Sequence, residues 1–420
     1  MRYILKGLLT LAVLIVTGCG DLDAPIKDTI KGGKVVVKIS QKDMRAILVA
    51  KGVIAADDTS RPVFGYEAYK IPYVTTDEND QEVAVSGLMV VPLGLPEGTP
   101  LSVVSNDHGT IFANRESPSV YADVIAGAPD GAPVIMTAMA GFVTLEPDYI
   151  GFGDSNDHYH PFVLKKSLAN ATVDFIEAAK EFAKENNITL NDQLFLTGYS
   201  EGGYAALATL QKIEQEGGPK VTMAMPMAGP YIMDGLAVEV LKAPTLSVPS
   251  FMANVGYAYA KRYNIALSDI INEPYASKLE TLFAGELDRT QIDPELTTQT
   301  TGVDGLFNPV FVNDFFTNQS NWFMVAVSEN SLYKWAPQTP LSLVHCMGDT
   351  VIPFNISLGT AKMMNTIIGS EKVQVIPVEM AMKQVDPNFP NKLEHAECAK
   401  YAYSIAAKYF GAARAAIYHY

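Results

Sequence analysis

Apolar and polar positions change period several times along the chain. Between Tyr66 and Pro92 the run YEAYKIPYVTTDENDQEVAVSGLMVVP sets two β-prone stretches on either side of the polar cluster 75–80. That pattern predicts an antiparallel hairpin. Further on, short apolar runs alternate with helical stretches: Leu101–Ser105, Gly141–Glu146, Gln193–Thr197, Val221–Met227, Leu341–Cys346 and Val373–Val378. Strands alternating with helices predict an α/β chain, a mostly parallel central sheet flanked by helices. The clearest helix carries Leu168, Thr172, Phe175, Ile176, Ala179, Phe182 and Ala183 on one face, the spacing of an amphipathic helix lying on a sheet. A short helix is expected over Gln41–Lys51. From about Met233 to Gln338 the alternation lapses, and helix-like stretches such as Phe251–Tyr263 and Asp269–Ala284 replace it. This predicts an inserted helical cap over 233–338, within a core formed by 61–232 and 339–420, after a leader or spacer over 19–60.

The first residues change the picture of where the chain works. Arg2 and Lys6 precede an apolar run from Leu8 to Val16, followed by small residues and Cys19, the layout of an export signal and too short for a permanent membrane span. Val16-Thr17-Gly18-Cys19 resembles the bacterial lipoprotein signal. That resemblance implies a signal peptide over 1–18, a lipid attached to Cys19, and an exported protein held at the bacterial cell envelope. An ordinary signal peptide cut nearby is the alternative. The formal net charge of −15 argues against nucleic acid or an anionic membrane surface as partner, since both would repel the chain.

Candidate chemistry concentrates at Leu194-Phe195-Leu196-Thr197-Gly198-Tyr199-Ser200-Glu201-Gly202-Gly203, a strand running into G-x-S-x-G and then an Ala-rich helix. A serine hydroxyl is a weak nucleophile and must stand clear of the sheet, where a base can reach it. A strained strand-to-helix turn does this, and Gly198 and Gly202 supply the absence of side chains it needs. The helix that follows aims its N-terminal N–H groups at the alkoxide formed on attack, so Glu201 contributes its backbone N–H rather than its carboxylate.

An acid and a base should follow in chain order. Asp349 ends the strand-like run 340–346 in the turn Gly348-Asp349, where a carboxylate would orient an imidazole and offset the charge it gains. Of the six histidines, only His395 and His419 lie beyond Asp349; His395 is preferred because His419 abuts the chain end. His345 reads as a packed residue at a strand end. His158 and His160 hint at a metal site but lack a convincing third ligand. Strand Leu101–Ser105 runs into Asn106-Asp107-His108-Gly109-Thr110, a His-Gly loop that would supply the second oxyanion N–H, from Thr110 or, less well, Gly109. With Cys19 set aside, Cys346 and Cys398 remain. Cys346 lies three residues before Asp349 and Cys398 three after His395, so contact between acid and base would bring the thiols together as a disulfide.

Three motifs together, Gly198-Tyr199-Ser200-Glu201-Gly202-Gly203, Pro147-Asp148-Tyr149-Ile150-Gly151-Phe152-Gly153 and Asp107-His108-Gly109-Thr110, resemble the secretory lipase family of the α/β-hydrolases, from about Tyr66 to the end. The resemblance implies the α/β-hydrolase fold, esterase or lipase activity on small-molecule or lipid esters, no metal or organic cofactor, and a cap shaping an acyl pocket. It also makes Asp148 structural rather than the acid. In the cap, Phe251, Met252, Tyr257, Tyr259, Phe307, Phe311, Phe315, Phe316, Trp322, Phe323 and Met324 offer apolar lining or the cap's own core. A serine peptidase, a carbohydrate acyl esterase and a non-catalytic binding lipoprotein are the competing readings. Acyl length and oligomeric state are not encoded in any motif.

Overall fold

The computed structural model describes residues 32–120 and 131–418. The signal-like run 1–18, Cys19 and His419 lie outside the described residues. Strand β1 (Lys34–Ile39) is followed by helix α1 (Gln41–Ala50), β2 (Gly65–Thr76), β3 (Glu82–Leu93), β4 (Leu101–Asp107) and β5 (Val143–Pro147). Helix α2 (Lys165–Glu185), β6 (Leu190–Tyr199), α3 (Glu201–Glu216) and β7 (Met223–Met227) complete the first part of the core. The cap contributes α4 (Met233–Lys242), α5 (Pro249–Tyr263), α6 (Pro309–Thr317) and α7 (Trp322–Glu329), and the core resumes with β8 (Ser342–His345), α8 (Asn355–Ile368), β9 (Gln374–Pro377), α9 (Val378–Lys383) and α10 (His395–Ala415).

The strands form one sheet in the order β1-β2-β3-β5-β4-β6-β7-β8-β9. The pairs β1/β2, β2/β3 and β3/β5 are antiparallel, and those from β5 through β4 to β9 are parallel. The expected hairpin is present, with Thr76 opposite Glu82 and Tyr66 opposite Pro92. Its turn closes on the Asp77 carboxylate, which accepts from the N–H groups of Asn79 (2.7 Å) and Gln81 (2.9 Å). Strands β4 and β5 are buried along their whole length, as expected of central strands covered by helices on both faces. All seven residues of the apolar stripe on α2 are buried, and Thr172 on that face donates to Asp107 Oδ1 at 2.6 Å. Burial pushes the Asp107 carboxyl up to about 8, against hydrogen bonds from Thr172 and Tyr149 that pull it down.

Two stretches differ from the sequence-based expectation. In the leader span 19–60, read as spacer and edge, the expected short helix is α1, whose Met44 and Leu48 pack with Tyr66 and Leu88, and the unexpected element is β1, which extends the sheet edge. Val35, Val36, Val37 and Ile39 make the run β-prone, but it stands alone in a polar leader and is an edge strand that pairs with β2 only. In the cap, Asp269–Ala284 is not one helix but the short turns Leu267–Ile270, Ala276–Lys278 and Leu279–Leu282. Pro274 has no N–H to continue a helix, and the Asn272 amide instead donates to the carbonyls of Gly302 (3.0 Å) and Gly305 (2.8 Å). The helix expected over Phe251–Tyr263 is α5.

Candidate active site

Ser200 stands between β6 and α3 with φ 61° and ψ −121°, a backbone conformation costly for a residue with a side chain and found where the surroundings over-determine it. The surroundings explain why glycine flanks it. A Cβ on Gly202 would lie 1.8 Å from the carbonyl oxygen of Asp107, and one on Gly198 would lie 2.4 Å from that of Gly202. Neither gap admits a methyl group, so β4, β6 and α3 meet at this turn only because both positions are bare. The Ser200 N–H donates to the Met227 carbonyl at 2.9 Å, tying the turn to β7.

Ser200 Oγ lies 2.9 Å from His395 Nε2, and His395 Nδ1 lies 2.5 Å from Asp349 Oδ2. The structure thus brings the three sequence-selected side chains into one line. A carboxylate accepts at Nδ1, so that nitrogen carries the proton and Nε2 is free to accept from the serine hydroxyl. Tyr199 fixes the imidazole from below: its hydroxyl donates to the His395 carbonyl at 2.7 Å, and the two rings lie 5.0 Å apart.

Asp349 accepts four hydrogen bonds. The N–H groups of Val351 and Ile352 reach Oδ1, each at 2.9 Å. Oδ2 takes His395 and also His345 Nε2 at 3.2 Å. Burial alone would raise this carboxyl, but the hydrogen bonds and charges of His345 and His395 outweigh it and hold the group well below the usual carboxylate range. His345 is fully buried; its Nδ1 faces Ser357 Oγ at 2.8 Å. It is indeed a packed residue at a strand end, but it also secures the acid, which sequence reasoning missed. The signal available was its position four residues before Asp349 in a turn.

Glu379 was missed as well. Wholly buried, its carboxylate accepts from the N–H groups of Met347 (2.9 Å), Gly348 (3.3 Å) and Leu393 (3.0 Å), bracing the acid turn against the histidine loop. Cys346 and Cys398 are joined in a disulfide, Cα–Cα 6.0 Å, that links the same two segments. Because it closes a loop across 52 positions, replacing both cysteines by serine is expected to lower unfolding free energy by about 4 kcal/mol. Urea unfolding of the oxidised protein and the double variant measures this; equal midpoints would assign the bond no stabilising role.

The oxyanion candidates Thr110 and Glu201 line a cavity of about 420 Å³ together with Ser200. Gly109 packs on the turn itself, where a Cβ would lie 3.1 Å from the Tyr199 carbonyl oxygen. Around this loop His108 Nδ1 faces the Gly109 carbonyl at 2.8 Å, and the Tyr149 hydroxyl donates to the His108 carbonyl at 3.2 Å. The His395 ring meets Asp349, whereas the Asp148 carboxylate accepts from Ser86 Oγ (2.6 Å), Ser119 Oγ (2.5 Å) and Ser119 N–H (2.8 Å). Its bonds place it in the scaffold of the loop. His158 is exposed beside Asp157 at 2.8 Å, whereas His160 is buried against Glu201 at 2.7 Å, so the two side chains do not converge.

The rest of the cavity is mostly apolar: Leu236, Val240 and Leu241 from α4, Leu246 after it, Val255 from α5, and Val351 and Ile352 beside the acid. Of the large cap residues singled out in the sequence, Phe251, Met252, Phe307 and Phe323 line it. Tyr257, Tyr259, Phe311 and Phe315 are buried in the large apolar cluster that cap and sheet share, with Tyr259 donating to the Val163 carbonyl at 3.3 Å, and Phe316 is exposed.

A protein-family model described as the prolyl oligopeptidase family matches residues 132–216, the span of β5, α2, β6, Ser200 and α3. No curated protein matches the chain. Among solved structures, a presumed hydrolase of Legionella pneumophila superposes with a TM-score of 0.78 at 22% identity, covering 92% of this chain and 98% of the other. The rice cell wall degrading esterase LipA of Xanthomonas oryzae gives 0.73 at 22% identity, covering 94% and 99%. Lipase A of Candida antarctica in its closed state gives 0.57 at 12% identity, covering 91% of each chain. With its nine-stranded sheet, its strand-to-helix serine turn and its inserted cap, the chain has the fold of the α/β-hydrolase superfamily.

Proposed function

We propose that the protein is an exported carboxylic ester hydrolase that works through an acyl-enzyme on Ser200. The observation that carries this reading is the line of hydrogen bonds from Asp349 through His395 to Ser200, with Ser200 at the wall of a mostly apolar cavity. His395 takes the serine proton as Oγ attacks the ester carbonyl. The tetrahedral oxyanion is met by the N–H groups of Thr110 and Glu201, and by the positive end of α3. On collapse, His395 returns the proton to the leaving alcohol; water then repeats the sequence to release the acid. The apolar lining suits an acyl chain, because transfer of such a chain out of water is favourable and leaves no polar group unpaired. Export and attachment through Cys19 are part of this reading and rest on the charged, apolar and Cys19 pattern of the first residues.

A second reading, removal of acyl groups from a carbohydrate polymer, is favoured by the likeness to an esterase that degrades rice cell wall. The decisive assay is hydrolysis of p-nitrophenyl esters from acetyl to palmitoyl, alongside acetylated polysaccharide and aminoacyl anilides, by the chain lacking residues 1–19. Turnover of the simple esters that vanishes in Ser200→Ala supports the reading. Folded protein that cleaves only the anilide, or nothing, rules it out.

A further inference from the structure

The Glu201 side chain plays no part in the mechanism above, although Glu201 follows the nucleophile, opens α3 and borders the cavity. Its carboxylate is 1% exposed and meets His160, itself 8% exposed, at 2.7 Å. The other ring nitrogen of His160, Nδ1, faces the Ile150 carbonyl at 2.9 Å. A carbonyl only accepts, so Nδ1 carries hydrogen. At Nε2 either the ring donates to the carboxylate or a protonated Glu201 donates to the ring. In both cases the two side chains hold two protons between them, and the pair has no net charge.

That neutrality matters because of where Glu201 sits. The first turn of a helix favours an anion, and a charge as buried as the Glu201 side chain acts with little screening. An unpaired carboxylate at this position would oppose the negative charge developing on the substrate oxygen and occupy the field of α3 that the alkoxide needs. The turn 147–153 holds the partner in place. Tyr149, Phe152 and Phe162 pack on the His160 ring, with centroids 6.0, 4.8 and 6.1 Å away. Gly151, at φ 96°, has no Cβ, which would come within 2.6 Å of the His160 N atom.

We propose that His160 is a positioning residue for the oxyanion site: presented by the Ile150 carbonyl, it neutralises and fixes Glu201 so that the Glu201 N–H faces the oxyanion without an opposing charge. The inference rests on the ester-hydrolase reading and adds a role for the Pro147–Gly153 motif. The test compares His160→Phe with His160→Phe/Glu201→Gln on p-nitrophenyl butyrate. His160→Phe is expected to lower kcat about 100-fold, as loss of an oxyanion donor does, with KM changed by less than about threefold. Removing the stranded charge in the double variant should recover about tenfold or more. A purely structural role for His160 predicts no such recovery. Wild-type kcat in folded His160→Phe, or a double variant as slow as the single one, overturns the proposal. Should His160→Phe not fold, His160→Gln and His160→Gln/Glu201→Gln carry the same comparison. If the wild type cleaves no ester, the function above fails, and the rate of Ser200 labelling by a fluorophosphonate still reads the pair: slowed in the single variant and restored in the double.

Discussion

Ser200→Ala is expected to lower kcat on p-nitrophenyl esters by roughly a millionfold while leaving the thermal midpoint almost unchanged. The variant removes the atom that would form the acyl bond, and alanine fits where serine already adopts φ 61°. What remains is the binding cavity and the oxyanion donors, which by themselves still give roughly 1000- to 10,000-fold over water. His395→Ala should cost about as much, and the double variant scarcely more, because nucleophile and base act as one unit. Stopped-flow and overnight assays of the three variants, with circular dichroism as the control for folding, check this. A loss in Ser200→Ala of only about tenfold would remove the residue from the mechanism.

Asp349→Asn should have the next largest effect, a fall of about 10,000-fold in kcat with the fold retained. The N–H groups of Val351 and Ile352 hold one oxygen of this side chain, so the asparagine amide must point toward His395 and His345. It then donates where the carboxylate accepted. His395 can meet it only with a bare Nδ1, which moves the ring proton to Nε2 and leaves nothing to accept from Ser200. The same substitution has a stability signature. In the folded protein Asp349 is held well below the ordinary carboxylate range by His345 and His395, despite burial. A depressed acid contributes stability that is present above its unfolded value, near pH 4, and is lost as pH falls through the folded one. The gap between wild type and Asp349→Asn should therefore be full at pH 7 and narrow as the solution is acidified below about pH 4. Chemical denaturation at both ends of that range tests it; a gap that widens in acid would mean the carboxyl is neutral in the folded state.

Much of the core was legible because its signals are local. The apolar stripe of α2 and the alternation of strands and helices follow from spacing, since each element must bury a face. The serine turn was legible because the strand, Gly198, Ser200, Gly202 and the helix after them stand within a few residues, although the Asp107 carbonyl that leaves no room for a side chain at Gly202 comes from far up the chain. Strand β1 was not, although Val35, Val36, Val37 and Ile39 are β-branched, because the run stands alone in a polar leader and takes its place at the sheet edge only from β2. The turns of 267–282 were not, because Asn272 satisfies carbonyls about thirty residues ahead, a contact no window along the chain contains.

The sequence by itself determined the sheet-and-helix alternation, the strand-to-helix turn at Ser200 and the short set of residues, Asp349 and His395 among them, from which an acid and a base had to come. Only the tertiary structure decided which cap side chains face the cavity, since Phe323 and Phe315 are alike in the chain and differ solely in what packs on them. It also decided that His345 and Glu379 secure the acid turn and that His160 meets Glu201. Those roles depend on distances between segments remote in sequence, and a buried charge acquires its meaning from whichever partner the fold sets beside it.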